Sequence, residues 1–353
     1  MTAPEDRPEP DRAGEAPHPR ETPRLYGQEA AEAAFLDAWN TGRLHHGWLL
    51  TGPPGVGKAT LAWRIARFLL TDPPQPAAAL DPVPDHPALP RIRALSEPSL
   101  MLLRRPWDEK AKRLKAQITV DEVRRLGAFF GLSAGGRRVV LVDAADDLNP
   151  NAANAILKLL EEPPAGATLL LVCHSPARLL PTIRSRCRVL RLGPLASAPL
   201  EAAIAQAGGD PAVAPLAEGS VGAALDLAEG GAEIYAALLD LFARAPMDRK
   251  AARAIADACA GRAGAETLDR TIAALERLLH RAARAGLLGP GDATGAEAAT
   301  LTRMAPHDAA ARAWSSLAQE IGDRSAHARA VNVDPVAIVW DALARIDAQA
   351  RRH

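Results

Sequence analysis

Apolar positions follow two alternating rhythms up to about residue 192 and a single helical rhythm after it. Across residues 28–39 they recur at helical spacing (Ala30, Ala34, Phe35, Ala38), and Trp48-Leu49-Leu50 is a continuous run that ends at Thr51-Gly52. From residue 58 to about 70 Leu61, Ile65, Phe68 and Leu69 share one helical face. A further helix is predicted from Thr119, which stands at its cap with Glu122 in the capping-box position and Val123, Leu126 and Phe130 inward. Residues 138–142 (RVVLV) and 168–173 (TLLLVC) are unbroken apolar runs, the pattern of parallel strands covered on both faces. Between them residues 149–162 form a helix stopped by Pro163-Pro164, and residues 188–192 alternate as a last strand.

This alternation predicts an α/β domain over residues 25–193 with a parallel sheet. Residues 194–231 hold short helical pieces broken by Gly208-Gly209 and Gly219, a small helical lid. Residues 232–353 are Ala- and Arg-rich helix throughout, a separate all-α domain. Residues 1–24 carry six prolines and many charges with little to bury, so a disordered tail is expected. The Pro/Ala-rich stretch with breaks at Asp81-Pro82 and Asp85-His86-Pro87 places a surface insertion or long loop over residues 71–117.

Composition narrows the function classes. With 42 basic and 42 acidic side chains, the 353-residue chain has no overall field that draws it to nucleic acid or to an acidic membrane surface. No apolar stretch approaches the roughly 18 residues of a membrane span. Cys173, Cys187 and Cys259 lie far apart, without zinc-site spacing or a disulfide framework, so no zinc and a reducing cytoplasm are expected.

The candidate chemistry begins at Gly52-Pro53-Pro54-Gly55-Val56-Gly57-Lys58-Ala59, after a strand and opening a helix, the context of a phosphate-binding loop. The template uses glycine N–H groups to cradle phosphates, a lysine to neutralise them and a Ser/Thr hydroxyl to hold Mg²⁺. Ala59 has no hydroxyl. Thr60 is one residue on, about 100° round the helix, so its oxygen should point away from the metal. The loop looks fit to hold a nucleotide and poorly built to hydrolyse one. Asp143 ends the second strand and could hold metal, but the next residue is Ala144, where hydrolysis usually needs a carboxylate. Asp146 and Asp147 read as turn or cap residues. Glu161 and Glu162, before two prolines, read as structural. Arg186, in Ser185-Arg186-Cys187, sits at an exposed corner, where an arginine can stabilise phosphoryl transfer in a neighbouring active site.

Taken together, the loop, the Asp143 strand end, the run Asn154-Ala155-Ile156-Leu157-Lys158-Leu159-Leu160-Glu161-Glu162-Pro163-Pro164 and Thr182-Ile183-Arg184-Ser185-Arg186-Cys187 resemble the AAA+ clamp-loader family of bacterial DNA polymerase III. The likeness is strong over residues 25–192 and only general beyond. It implies an AAA+ domain, a helical lid and a C-terminal helical collar that joins subunits. Motor subunits of the family carry a hydroxyl at Ala59, a glutamate at Ala144 and a lid arginine near Gly222; the polar sensor after the third strand would fall at Cys173 or His174. The pattern therefore resembles a non-catalytic subunit that keeps Arg186 for its neighbour. The implied partners are gamma/tau-like motor subunits, a delta-like subunit, and through them the sliding clamp and primed DNA, with no membrane. No cofactor is required; ATP or ADP, with weak Mg²⁺, would lie on Gly52, Gly55, Val56, Gly57, Lys58, Ala59 and Thr60. Two other readings are a motor in which Asp146 or Thr60 replaces the lost groups, and a nucleotide-sensing scaffold.

Overall fold

The computed structural model describes residues 8–14, 16–131, 136–261, 264–293 and 295–352. Contacts divide the chain into two compact units, Met1–Leu225 and Asp226–His353. The expected boundary between lid and collar, after residue 231, thus falls a few residues earlier, inside helix Val221–Asp226.

The first unit is built on a five-stranded parallel sheet. Its strands are β1 (Gly47–Thr51), β2 (Leu100–Arg104), β5 (Arg138–Asp143), β6 (Ala167–Cys173) and β7 (Arg188–Arg191), in the spatial order β2-β5-β6-β1-β7. The central strands β1, β5 and β6 are buried at every position, which is why they read as continuous apolar runs. Edge strand β7 buries Leu190 alone and therefore alternates. Helices α1 (Glu29–Asn40), α2 (Lys58–Leu69), α4 (Val120–Gly131) and α5 (Pro150–Glu161) supply the apolar faces that cover the sheet. Phe35 of α1 packs on Trp48 of β1 with ring centroids 4.7 Å apart. Ile156 and Leu160 of α5 join Val123, Leu126 and Phe129 of α4 over β5 and β6. The α5 N-terminus is set by Asn149, whose Oδ1 accepts the Ala152 N–H at 2.8 Å, and by Pro150 at the first helical position.

Two expectations are corrected. Residues 71–117 are not a surface insertion throughout. They include helix α3 (Ala88–Arg93), a hairpin of β3 (Trp107–Asp108) and β4 (Arg113–Leu114), and edge strand β2, which pairs with β5 from Leu100↔Val139 to Arg104↔Asp143. Residues 8–14 and 16–24 are not a loose tail: His18 is buried, its ring edge-on to Trp63 of α2. Arg67 of α2 donates to the carbonyls of Arg20 (2.7 Å) and Thr22 (2.9 Å). These hydrogen bonds, with the ion pairs of Arg104 to Glu9 and Asp11, replace the apolar burial that the composition lacks. Residues 1–7 lie outside the described residues.

After β6 come α6 (Pro181–Arg184) and β7, then α7 (Ser197–Gln206), a 3₁₀ segment (Pro211–Ala217) and α8 (Val221–Asp226). In the second unit, α9 (Ala232–Phe242), α10 (Arg249–Asp257), α11 (Ala265–Leu288), α12 (Gly295–Met304), α13 (Asp308–Ala330) and α14 (Pro335–Ala350) form an all-helical body. Its centre holds Leu275, Leu278 and Leu279 of α11 with Trp314 of α13, whose indole donates to the Met304 carbonyl. No described helix is long and apolar enough to cross a membrane.

Replacing Asn149 by Ala removes the α5 cap bond and should cost about 1 kcal/mol, lowering the midpoint of thermal unfolding of the sheet unit by roughly 2–4 °C. Circular dichroism melts of the two proteins check this; an unchanged midpoint would show that the bond contributes nothing.

Candidate functional site

The loop between β1 and α2 is held in its shape by glycines that no other residue could replace. Gly52, Gly55 and Gly57 all have positive φ (148°, 74° and 100°). A Cβ on Gly52 would lie 2.2 Å from the Leu192 carbonyl oxygen, and one on Gly57 would lie 2.8 Å from the Leu25 side chain. Gly57 is also the N-cap of α2, so the first N–H groups of that helix open toward the loop, as an anion site requires. Buried Val56 offers its carbonyl to Gln28 Nε2 at 3.0 Å. The same amide group donates to the Gly193 carbonyl (2.8 Å) and accepts the Gly193 N–H (3.3 Å). Gln28 thus joins the loop to the end of the sheet domain. Sequence reading missed it; a glutamine just before an apolar helix is ordinary until it is seen to be buried.

Lys58 is buried, and its ammonium donates to the carbonyls of Gly52 (2.7 Å) and Pro53 (2.5 Å). Burial pulls its pKa down to about 8 against the opposing charges of Asp143 and Asp146. Asp143 ends β5 nearby, and its Oδ2 is buried without a hydrogen-bond partner among the described residues. Burial first, then the charges of Asp11 and Asp147, push its pKa up to about 7. Gly55, Val56, Gly57, Lys58, Ala59, Thr60, Asp143 and His174 line a cavity of about 390 Å³. Thr60 therefore shares the cavity wall with Ala59, while the metal-binding position itself carries a methyl group.

These residues fit a polyphosphate better than its metal. The glycines, the helix start and Lys58 are donors for phosphate oxygens, and the orphaned Asp143 oxygen is one acceptor for a cation. No hydroxyl stands at residue 59 to complete that cation's shell, and no carboxylate at residue 144 to orient a water beside it.

The other candidates separate into two groups. Asp146 is structural: its carboxylate accepts the N–H groups of His174 (2.6 Å) and Ser175 (2.7 Å), with the Cys173 thiol at 3.6 Å. It pins the turn after β6 and has little capacity left to substitute for a catalytic base. Asp147 pairs with Arg105 at 3.3 Å. Gly222, at the start of α8, donates its N–H to the Gly55 carbonyl at 3.3 Å, and Ser220 Oγ donates to the Pro54 carbonyl at 3.0 Å. A Cβ at Gly222 would stand 2.9 Å from Gly55 Cα. The lid thus meets the loop backbone to backbone, where a side chain such as arginine has no room.

Arg186 lies outside the cavity, between α6 and β7. It is half-exposed, with Nη1 donating to the Thr182 carbonyl (3.1 Å) and Nη2 paired with Glu161 Oε1 (3.0 Å). Glu161, expected to be merely a helix end, is therefore the anion that holds Arg186. The motif ending in Glu-Glu-Pro-Pro and the Ser-Arg-Cys motif meet at this pair.

The family model for "DNA polymerase III, delta subunit" matches residues 27–196. Over 144 residues the chain is 44% identical to DNA polymerase III subunit delta' of Pseudomonas aeruginosa, covering 40% of this chain and 41% of that protein. It is 35% identical over 168 residues to the subunit of the same name in Escherichia coli, covering 45% and 46%. The chain thus spans less than half the length of these curated relatives. Among solved structures, a gamma-subunit-related protein of Thermotoga maritima aligns over 90% of this chain and all of its own, at 15% identity and a TM-score of 0.38, too loose to carry an argument. The matched segment contains the loop, Asp143, the Glu161 helix and Arg186 in one continuous α/β unit. Over residues 27–196, just under half of its length, the chain is thus similar to the DNA polymerase III delta-subunit family, and the two curated relatives named here are delta' subunits.

Proposed function

We propose that the chain is a non-catalytic, delta-prime-like subunit of a DNA polymerase III clamp loader, which offers Arg186 in trans to ATP on an adjacent gamma/tau-like motor subunit. One observation carries the reading: the site that would serve the chain's own nucleotide has lost three groups, while the arginine that faces outward is intact and held. Ala59, Ala144 and Gly222 stand where a metal-binding hydroxyl, a water-orienting carboxylate and a lid arginine would act. Gly222 is more than a missing arginine, because its backbone contact with Gly55 leaves that position filled.

What Arg186 does follows from its chemistry. A guanidinium remains charged at any physiological pH and presents planar, paired donors to phosphate oxygens. Glu161 and the Thr182 carbonyl fix the start of its side chain's reach. In contact with a neighbour, the guanidinium would stabilise negative charge that grows on a transferring phosphoryl group. The all-helical second unit would join the collar of the assembly, with a delta-like subunit as another neighbour and the sliding clamp and primed DNA as the objects acted on. A nucleotide on Gly52–Thr60, where bound, would be held and not hydrolysed; a bound nucleotide's own metal would find Asp143 alone.

Two measurements on a reconstituted loader test the assignment. Arg186→Ala should reduce DNA-stimulated ATP hydrolysis at the neighbouring site on the order of 10³-fold, seen as loss of clamp loading in a primed-template assay; unchanged loading sinks the finger. Lys58→Ala should leave ATP turnover of the same assembly within about twofold, because the loop it disables hydrolyses nothing. A fall to background would instead make this chain a motor.

A further inference from the structure

The cavity beside the phosphate loop has a second wall, and the chain's own N-terminal segment forms it. Pro10, Asp11, Pro17, Pro19 and Thr22 face the same space as Gly55–Thr60 and Asp143. Nothing in the phosphate-loop motif calls for this segment.

Its attachment is electrostatic and comes from elements that flank the loop. Asp11, whose side chain is fully buried, lies 2.6 Å from Arg104 at the end of β2 and 3.1 Å from His18 Nε2. His18 Nδ1 accepts the Arg20 N–H at 3.0 Å, which turns Nε2 toward Asp11. Glu9 bridges Arg104 (3.0 Å) and Arg20 (2.7 Å). Arg67 of α2 holds the backbone at Arg20 and Thr22. Arg104 is itself the register partner of Asp143, so the latch closes on the strand end next to the loop's carboxylate. Of the charges acting on Asp143, that of Asp11 is the strongest of those that disfavour its ionisation.

A polyphosphate brought to Lys58 would meet two carboxylates, Asp11 and Asp143, with no hydroxyl at residue 59 to help place a neutralising cation between them. The segment and the polyphosphate carry charge of the same sign to the same place, so each raises the free energy of the other. We infer that residues 9–14 and 16–22 are an internal competitor for polyphosphate at the loop, latched by Asp11 on Arg104 and His18, and that a nucleoside triphosphate binds the loop only as this latch opens. The inference concerns the chain's own pocket and does not rest on the clamp-loader reading or on Arg186.

The test is an equilibrium titration of the full chain with a fluorescent ATP analogue and Mg²⁺, set beside Asp11→Asn and a chain lacking residues 1–22. Asp11→Asn keeps the shape and removes the charge, so it keeps the test sound if the truncated chain does not fold. Both opened forms should bind on the order of tenfold more tightly, the scale of one lost charge-assisted hydrogen bond, and Lys58→Ala placed in the Asp11→Asn chain should remove the gain. In the unaltered chain, Mg²⁺-ATP should hasten tryptic cleavage after Arg12 and Arg20. Equal affinity in all forms, or no binding by any of them, overturns the latch. Weaker binding by Asp11→Asn also overturns it, by making the segment a wall of the nucleotide site. Loss of clamp loading in Arg186→Ala is read in a different assay, so either idea can fail without the other.

Discussion

Close approach of backbone to backbone at the phosphate loop is the constraint on which the first unit depends. Three glycines let three separate segments touch one short turn: the end of the sheet at Leu192, the lid at Gly222, and the entry to α1 at Leu25. The contacts at Leu192 and Gly222 are with backbone and leave no space for a Cβ, that at Leu25 is with a side-chain methyl, and all three glycines have a φ that a side chain would strain further. Gln28 then fastens the same loop to Gly193 through three hydrogen bonds. The loop is therefore the mechanical junction of the domain, whether or not a nucleotide rests on it. That gives a physical reason for Gly52, Gly55 and Gly57 in a loop that has no hydroxyl at residue 59.

The electrostatics of the site agree with that division of labour. Lys58 spends its donors on loop carbonyls, Asp146 spends its acceptors on the turn after β6, and Asp143 is left buried with a raised pKa. Lys58 and Asp146 are thus satisfied by the protein itself, and Asp143 sits beside the segment that carries Asp11.

Much of this was legible in the sequence because it depends on local pattern. The strand, loop and helix from Trp48 to Leu69, the buried β5 and β6 runs and the α5 boundaries follow from continuous burial, glycine spacing and the Asn149 and Pro163 signals. Strand β2 was hidden because Leu100–Leu103 is a short apolar run among prolines, and such a run has no period of its own. The placement of residues 8–24 was hidden for a different reason. Its composition cannot supply a core, and the partners that hold it, Arg67 and Arg104, are distant in sequence. The role of Glu161 was missed likewise, since Arg186 comes within 3.0 Å of it only after β6 and α6 have turned the chain back.

The Glu161–Arg186 pair also bears on how the chain would meet other molecules. A lone exposed guanidinium attracts any polyanion within a Debye length, about 8 Å at physiological salt. Paired with a carboxylate, Arg186 presents a dipole instead of a net charge, and stray nucleic acid or free nucleotide gains little by approaching it. A phosphate that engaged Nη2 would compete with Glu161 for it, anion against anion, and a docked surface that held the phosphate in line would favour the exchange. Selectivity at this corner would thus come from fit at short range, leaving diffusion through a crowd of anions unaffected by the charge it carries.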